Sequence, residues 1–150
     1  LDAEIVNRAA AVVGFSLGEY TALCAAGIIT FEDGLRLVQK RGEAMHVASE
    51  ICKQGMLSVV GLSQKKVQEL CEDAMKRMGG VCQIAISLFQ DGFSIGGHEN
   101  AIEVLKTMAE RAGAQQARLI KTSSAFHTPL MEPAVEPLKR ALEELASRLK

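Results

Sequence analysis

Ser16 stands at the centre of a G-x-S-x-G motif, Gly14-Phe15-Ser16-Leu17-Gly18, which follows a short run of apolar residues. In the nucleophile elbow that such a motif describes, glycines allow a sharp strand-to-helix turn that exposes the serine hydroxyl. The backbone N–H of Leu17, in the first turn of the following helix, would then face a developing oxyanion. The alternative is a glycine-rich turn in which Ser16 only caps a helix. The motif predicts a serine nucleophile for acyl chemistry, and the capping interpretation stays open.

A nucleophilic serine needs a base, and the chain has three histidines, His46, His98 and His127. His46 falls on a predicted helix, and His98 follows two glycines at a predicted helix N-terminus, where the helix dipole disfavours a protonated ring. Both positions are typical of surface or capping residues. His127 falls in a short loop before a proline-initiated helix, and loops held between rigid elements often carry catalytic groups. His127 is therefore the candidate base, although the residues alone leave a structural role open.

Composition narrows the classes of function. The 150 residues carry 17 Lys and Arg against 18 Asp and Glu, with five Phe, one Tyr and no Trp. We therefore expect no nucleic-acid partner, and no membrane span, since no apolar run approaches the roughly 18 residues that one needs. The four cysteines form no C-x-x-C pair and have no histidine at zinc-ligand spacing. We expect small buried thiols in a reducing compartment, without a metal or a disulfide.

The periodicity of apolar residues predicts the elements that position the candidate site. The wholly apolar run 9–15 predicts a buried strand of a parallel sheet. The small and helix-compatible residues from Leu17 to Ala26 predict a helix after it, which Gly27 ends as a C-cap. Thr30 caps a second predicted helix, which runs to about Ser49. The predicted buried face of that helix consists of Phe31, Leu35, Val38 and Met45.

Residues 56–120 show a different pattern of apolar and polar residues, with several short strands. An alternating strand, a helix, an apolar strand, a hairpin turn at Asp91-Gly92, a short strand, a helix and a last strand follow one another. This β-α-β-β-α-β order is typical of ferredoxin-like domains. The segment just before it, residues 52–55, has the composition of a linker.

A final helix is predicted after His127. Pro129 and Pro133 suit its first turn, and Pro137 predicts a kink or a later start. Its predicted buried stripe consists of Leu138, Leu142, Leu145 and Leu149.

Three segments together resemble the malonyl-CoA:acyl-carrier-protein transacylases, members of the acyltransferase family of fatty-acid and polyketide synthesis. The segments are Val13-Gly14-Phe15-Ser16-Leu17-Gly18-Glu19-Tyr20, Gln39-Lys40-Arg41-Gly42-Glu43-Ala44-Met45 and Ala125-Phe126-His127-Thr128-Pro129-Leu130-Met131-Glu132-Pro133. The resemblance covers nearly the whole chain, in the family's order and rough spacing. It implies an α/β fold, with residues 1–55 and 121–150 in an α/β-hydrolase-like catalytic domain and residues 56–120 in an inserted ferredoxin-like subdomain.

The resemblance implies a catalytic role for three of these positions. Ser16 would accept the malonyl group from malonyl-CoA, and Leu17 would supply one N–H of the oxyanion hole. His127 would deprotonate Ser16 and later activate the phosphopantetheine thiol of acyl carrier protein. The implied enzyme is an acyltransferase with no permanently bound cofactor, and its partners are a coenzyme A thioester and the carrier protein.

Two further positions would select the substrate. Arg41 would bind the malonyl carboxylate, because a planar guanidinium donates two parallel charge-assisted hydrogen bonds to it. Without the resemblance, Arg41 between Lys40 and Glu43 would be assigned to a solvated helix face. Phe126 before His127 resembles the A-F-H sequence that, in related acyltransferases, accompanies selectivity for malonyl over methylmalonyl groups.

One residue departs from the pattern of bacterial members, and the resemblance places other parts of the site outside these 150 residues. Phe15 precedes the nucleophile at a position where bacterial members usually have histidine and animal mitochondrial relatives have phenylalanine. This resemblance indicates an organellar enzyme, of a mitochondrion or plastid, and leaves a cytoplasmic location open. The resemblance places a second oxyanion donor before Leu1 and strands that orient His127 after Lys150. One lost donor costs on the order of 10²–10³ in rate, so we expect this central fragment alone to be weak or inactive.

Two other functions are compatible with the residues. An α/β-hydrolase-type serine esterase would use the same elbow, but it needs an acid between serine and histidine in chain order. The aspartates there, Asp33, Asp73 and Asp91, are predicted in a helix cap region, a helix and a hairpin turn. A non-catalytic module that binds a carrier protein would keep the fold without the chemistry.

Overall fold

The computed structural model describes residues 8–122 and 124–148, and the chain divides into two compact units. One unit takes in the described residues up to 44 and those from 135 on, and the other spans 45–134. In chain order the elements are α1 (Leu17–Ala25), α2 (Phe31–Ser49), β1 (Gln54–Val60), α3 (Gln64–Met78), β2 (Cys82–Phe89), β3 (Gly92–His98), α4 (Glu99–Arg111), β4 (Gln116–Ile120), a 3₁₀ helix (Pro129–Ala134) and α5 (Val135–Arg148). No helix within the described residues is long and apolar enough to span a bilayer.

The unit 45–134 is built on one antiparallel sheet with the strand order β2-β3-β1-β4. Its elements follow the β-α-β-β-α-β order that the alternation predicts. Two strands are longer than predicted, because Gly55, Gly96 and Gly97 pair within the sheet although glycine has low strand propensity. The predicted linker at 52–55 therefore already contains the start of β1.

Helices α3 and α4 cover one face of this sheet. The side chain of Ser63 accepts the N–H of Lys66 at 3.3 Å to cap α3, and Gly79 ends it with a φ of 74°. The core between helices and strands consists of Leu57, Val59, Leu62, Val67, Leu70, Cys71, Ala74, Cys82, Phe93, Ile95, Ala101, Ile102, Leu105 and Ala109. Burial of each large apolar side chain contributes about 1.5–3 kcal/mol, which makes this sheet a rigid support.

The other face of the sheet supports the segment that carries His127. Gln54 and Gly96 lie on this face, since side chains alternate along a strand and Leu57 and Ile95 point to the helices. A Cβ on Gly96 would lie 2.7 Å from Thr128 Cγ2 and 3.4 Å from Ala125 Cβ. The absence of a side chain at Gly96 therefore allows residues 125–128 to lie directly on β3.

The second unit is helical, and its buried face on α2 differs from the predicted one. Ile29, Leu37 and Leu145 form its core, with Tyr20, Leu23, Cys24 and Ala141 packed around them. Phe31 and Leu35, predicted as buried, are 67% and 54% exposed. Small residues take their place because α1 packs close, so that a Cβ on Gly34 would lie 2.5 Å from Cys24 Sγ. The buried positions of α2 are Gly34, Leu37, Ala44, Ala48 and Ser49.

The prediction of a buried strand at residues 9–15 is wrong for this structure. The segment has no regular secondary structure and is not part of the sheet formed by β1–β4, and Val13 is 94% exposed. A parallel strand needs neighbouring strands on both sides and helices on both faces to become buried. The apolar run at 9–15 is therefore not sufficient to form a strand among the described residues.

The final helix begins late, as Pro137 predicts. Residues 129–134 form the 3₁₀ helix, and α5 starts at Val135, which places Pro137 in its first turn, where no intrahelical N–H is needed. Of the predicted stripe, Leu145 is buried and Leu142 is 41% exposed, so the stripe is narrower than predicted. Leu149 lies outside the described residues.

Candidate active site

Ser16 has a strained backbone, as the predicted nucleophile elbow requires. Its φ of 53° and ψ of −111° lie in a region that L-residues rarely adopt, at the N-terminus of α1. The N–H of Gly18 donates to the carbonyl of Phe15 at 2.8 Å, and that of Glu19 donates to the carbonyl of Ser16 at 3.2 Å. Ser16 occupies the N-cap position of α1, but its side chain makes no capping hydrogen bond.

The two glycines of the motif are not equivalent. A Cβ on Gly14 would overlap the carbonyl group of Gly18, because the chain doubles back on itself around Ser16. A Cβ on Gly18 would meet no described atom within 4 Å. The requirement for glycine in this turn therefore falls on Gly14.

Arg41 contacts the candidate nucleophile directly. Its Nη2 donates a hydrogen bond of 2.7 Å to Ser16 Oγ. Arg41 is half-buried and continues the inward row of α2 formed by Leu37, Ala44 and Ala48, whose spacing of three or four residues defines one helix face. The interpretation of Arg41 as part of a solvated face is therefore wrong, and the row of small residues was the signal for its orientation.

Tyr20 is a third member of this cluster that was not singled out from the sequence. The guanidinium carbon of Arg41 lies 5.9 Å from the centroid of the Tyr20 ring, within the range of a cation–π contact. Burial raises the pKa of Tyr20, the Arg41 charge opposes that rise, and Glu19 adds to it. Tyr20 follows Ser16 by one helical turn, and this spacing was the only signal for its position beside the serine.

His127 lies in a turn whose backbone is held on both sides. It has a φ of 59° and is exposed to solvent, while the preceding Phe126 is half-buried. The hydroxyl of Thr128 donates to the carbonyl of Ala125 at 2.6 Å and accepts the N–H of Leu130 at 3.3 Å. The turn is therefore closed by a side chain next to His127.

The Gln54 side chain holds the backbone of this turn at Ala125. It is 5% exposed, its Nε2 donates to the carbonyl of Ala48 at 2.9 Å, and its Oε1 accepts the N–H of Ala125 at 2.9 Å. The buried amide thus uses both ends, as a buried polar group must. No sequence pattern singled out Gln54, which lies within the predicted linker.

The predicted site residues are divided between the two units. Ser16, Leu17 and Arg41 lie in the helical unit, and the structure brings Ser16 and Arg41 together. Leu17 is the first residue of α1, so its N–H is at the helix N-terminus next to Ser16. Phe126 and His127 lie in the sheet unit.

The remaining histidines and the aspartates have other surroundings. His46 is exposed on α2, and His98 accepts the N–H of Val81 through Nδ1 at 2.9 Å, which makes it a structural residue. Asp33 accepts hydrogen bonds from Thr30 and Arg36 in the first turn of α2. Asp73 pairs with Lys76 on α3, and Asp91 forms the β2–β3 turn with a φ of 57°.

The cysteines are free thiols with two kinds of surroundings. Cys71 and Cys82 are fully buried in the sheet unit, whereas Cys24 and Cys52 are half-buried, so the prediction of buried thiols holds for only two of them. The hydrogen bond with Cys82, together with burial, raises the pKa of Cys71. Within the described part of the chain, no three or more His, Cys, Asp or Glu side chains are grouped so that they could hold a metal ion.

Comparison with known proteins gives consistent results. Residues 7–150 match the family described as acyl transferase domain. The human mitochondrial malonyl-CoA-acyl carrier protein transacylase is 41% identical over 149 residues, which are 95% of this chain and 38% of that protein. The structure of the malonyl CoA-acyl carrier protein transacylase from Coxiella burnetii aligns with a TM-score of 0.85 at 35% identity, over 94% of this chain and 45% of that one.

A third match includes a bound partner. It is a malonyl-transacylase in complex with a type II PKS acyl-carrier protein, which aligns with a TM-score of 0.81 at 31% identity, over 87% of this chain and 42% of that one. The chain thus spans less than half the length of each of these relatives.

Proposed function

Because the chain belongs to the acyl transferase domain family, we propose that the protein carrying it transfers a malonyl group from malonyl-CoA to the thiol of acyl carrier protein. The observation that carries this proposal is the 2.7 Å hydrogen bond from Arg41 to Ser16 Oγ. In a malonyl ester a single methylene separates the carboxylate from the ester carbonyl. A cation that binds this carboxylate therefore has to lie beside the serine oxygen, which is where Arg41 lies.

The proposed reaction has two symmetrical halves. Ser16 Oγ attacks the thioester carbonyl while His127 takes its proton, and the N–H of Leu17 donates to the resulting oxyanion. The intermediate collapses as the sulfur of coenzyme A leaves and takes the proton from His127, which gives a malonyl ester of Ser16. The carrier-protein thiol then attacks this ester, His127 takes the thiol proton, and the proton returns to Ser16 as it leaves. No cofactor enters either half.

The remaining assignments are proposals of the same kind. Phe126 would narrow the space beside the malonyl α-carbon and favour malonyl over methylmalonyl groups. Residues 1–55 and 121–150 would form part of an α/β-hydrolase-like domain, and residues 56–120 a ferredoxin-like subdomain, which the observed strand order β2-β3-β1-β4 supports. Phe15 and the similarity to a mitochondrial enzyme support an organellar location. The chain alone would be weak or inactive without a second oxyanion donor.

Incubation of the complete protein with malonyl-CoA, followed by intact-mass measurement, tests the proposal. We expect a malonyl adduct that is absent in Ser16→Ala and that passes to holo-acyl carrier protein. In His127→Ala the adduct should form on the order of 10²–10⁴-fold more slowly, since a positioned base contributes that much. Ser58→Ala, a half-buried serine on β1, is the matched control and should leave the adduct unchanged.

The same experiment distinguishes the other functions. Rapid release of malonate without transfer would identify a serine esterase instead. Binding of the carrier protein without any adduct would identify a non-catalytic module.

A further inference from the structure

The amide oxygen of Gln54 accepts a hydrogen bond from the N–H of Ala125, two residues before His127. These two groups are 71 residues apart in the chain and meet at a distance of 2.9 Å. On its other end the same amide holds the carbonyl of Ala48, near the end of α2. One buried side chain therefore connects the base of the His127 turn to a helix.

The turn itself is held at two consecutive backbone groups. Gln54 accepts the N–H of Ala125, and Thr128 Oγ1 donates to the carbonyl of the same residue at 2.6 Å. Gly96 on β3 leaves room for the Thr128 methyl group, so the closing side chain rests on the sheet. Between these fixed points His127 adopts a φ of 59°, which is unfavourable for a residue with a Cβ and persists only where the surroundings enforce it.

From this arrangement we infer that Gln54 is a positioning residue for His127, which it orients through Ala125 without contact with the substrate. The inference rests on the proposed function, in which His127 is the base. Proton transfer is sensitive to small displacements, and a shift of about 1 Å can cost on the order of 10²-fold in rate. The Gln54 amide contacts the backbone two residues before His127, whereas on α2 it contacts Ala48, about two helical turns after Arg41, so loss of Gln54 should impair proton transfer more than carboxylate binding.

Gln54→Met in the complete protein tests this inference, because methionine keeps the length of the side chain and removes its hydrogen bonds to Ala48, Cys52 and Ala125. We expect kcat for malonyl transfer to fall on the order of 10- to 100-fold, with KM for malonyl-CoA changed less than about threefold. Gln68→Met is the matched control, since Gln68 is exposed on α3 and its amide donates to Glu72 on the same helix. The control should retain the wild-type kcat.

Gln54→Glu adds a readout that a purely structural role would not move. A protonated carboxyl can still donate to Ala48 and accept from Ala125, whereas the ionised form has no proton for the Ala48 carbonyl. We therefore expect the rate of Gln54→Glu relative to wild type to be close to one at low pH and to fall as the carboxyl ionises. All rates are measured at a temperature where circular dichroism shows each variant to be folded.

Thr128 keeps the inference testable if Gln54→Met does not fold. Thr128→Val removes the hydroxyl that holds the Ala125 carbonyl, and Thr128→Ser keeps it. The valine variant should show the same fall in kcat at constant KM, and the serine variant should restore the rate. A wild-type kcat in folded Gln54→Met or Thr128→Val would overturn the inference, and so would a pH-independent rate ratio in Gln54→Glu. The proposed function would still stand in either case if the wild-type protein forms the malonyl adduct. Absence of that adduct in the wild type would overturn both.

Discussion

Arg41 Nη2 donates to Ser16 Oγ over 2.7 Å, a contact that joins the middle of α2 to the N-terminus of α1. The guanidinium has further N–H groups, so it can approach a carboxylate beside the serine. The Tyr20 ring, 5.9 Å from the guanidinium carbon, limits the directions in which Arg41 can turn. The serine and the cation thus form one unit within the helical part of the chain.

Replacement of Arg41 should change the substrate preference more than the chemistry. Hydrogen bonds to charged groups contribute about 1.5–3 kcal/mol, and 1.4 kcal/mol corresponds to a factor of about ten. We expect Arg41→Ala to lower kcat/KM for malonyl-CoA about 10- to 100-fold relative to acetyl-CoA, and Arg41→Lys to lower it less. Transfer of both acyl groups to holo-acyl carrier protein is measured side by side.

Arg36→Ala is the control for this prediction. Arg36 is on the same helix, its side chain is 67% exposed, and it pairs with Asp33. Its loss should leave the malonyl-to-acetyl ratio unchanged. Equal losses for both acyl groups in Arg41→Ala would show that Arg41 does not bind the carboxylate.

Much of the sheet unit could be predicted from the sequence, because its elements have local signals. The alternation in β1, the Asp91-Gly92 turn and the glycines after α3 each mark an element or its end. The absence of a strand at 9–15 could not be predicted, because burial of a strand depends on neighbours that an apolar run does not specify.

The part of the candidate site that has a local sequence signal was predictable. Ser16 and its turn follow from a local motif with a steric requirement, which the structure places on Gly14. The inward direction of Arg41 depends on which of two faces of α2 packs against α1, and large apolar residues at Phe31 and Leu35 favoured the wrong face. Gln54 could not be found, because its partner in the His127 turn, Ala125, is 71 residues away in the chain.

The Tyr20 phenol should titrate above its ordinary pKa of 10.0, because burial disfavours the phenolate. Arg41 stabilises the phenolate and Glu19 destabilises it, so Arg41→Met should raise the pKa of Tyr20 further and Glu19→Gln should lower it. Phenolate absorbance, taken as the difference from Tyr20→Phe, isolates this group. A lower Tyr20 pKa in Arg41→Met would contradict the contact between the two side chains.

The two motif glycines should respond differently to alanine. Gly14→Ala forces a Cβ into the Gly18 carbonyl, and such overpacking costs about 1–3 kcal/mol. We expect a lower melting temperature and a large loss of malonyl-adduct formation, because the turn has to open. Gly18→Ala meets no described atom within 4 Å and should preserve the adduct. Equal loss in both variants would show that the turn tolerates neither side chain.

The four thiols should react with an alkylating agent in an order set by burial. Cys24 and Cys52 are half-buried, whereas Cys71 and Cys82 are 0% exposed. The thiolate is the reactive form, and the contact with Cys82 together with burial raises the pKa of Cys71, which lowers its thiolate fraction. Peptide mass mapping after brief iodoacetamide treatment should find label on Cys24 and Cys52 first, while treatment in denaturant should label all four. Early labelling of Cys71 in the folded protein would mean that the packing of α3 on the sheet opens readily.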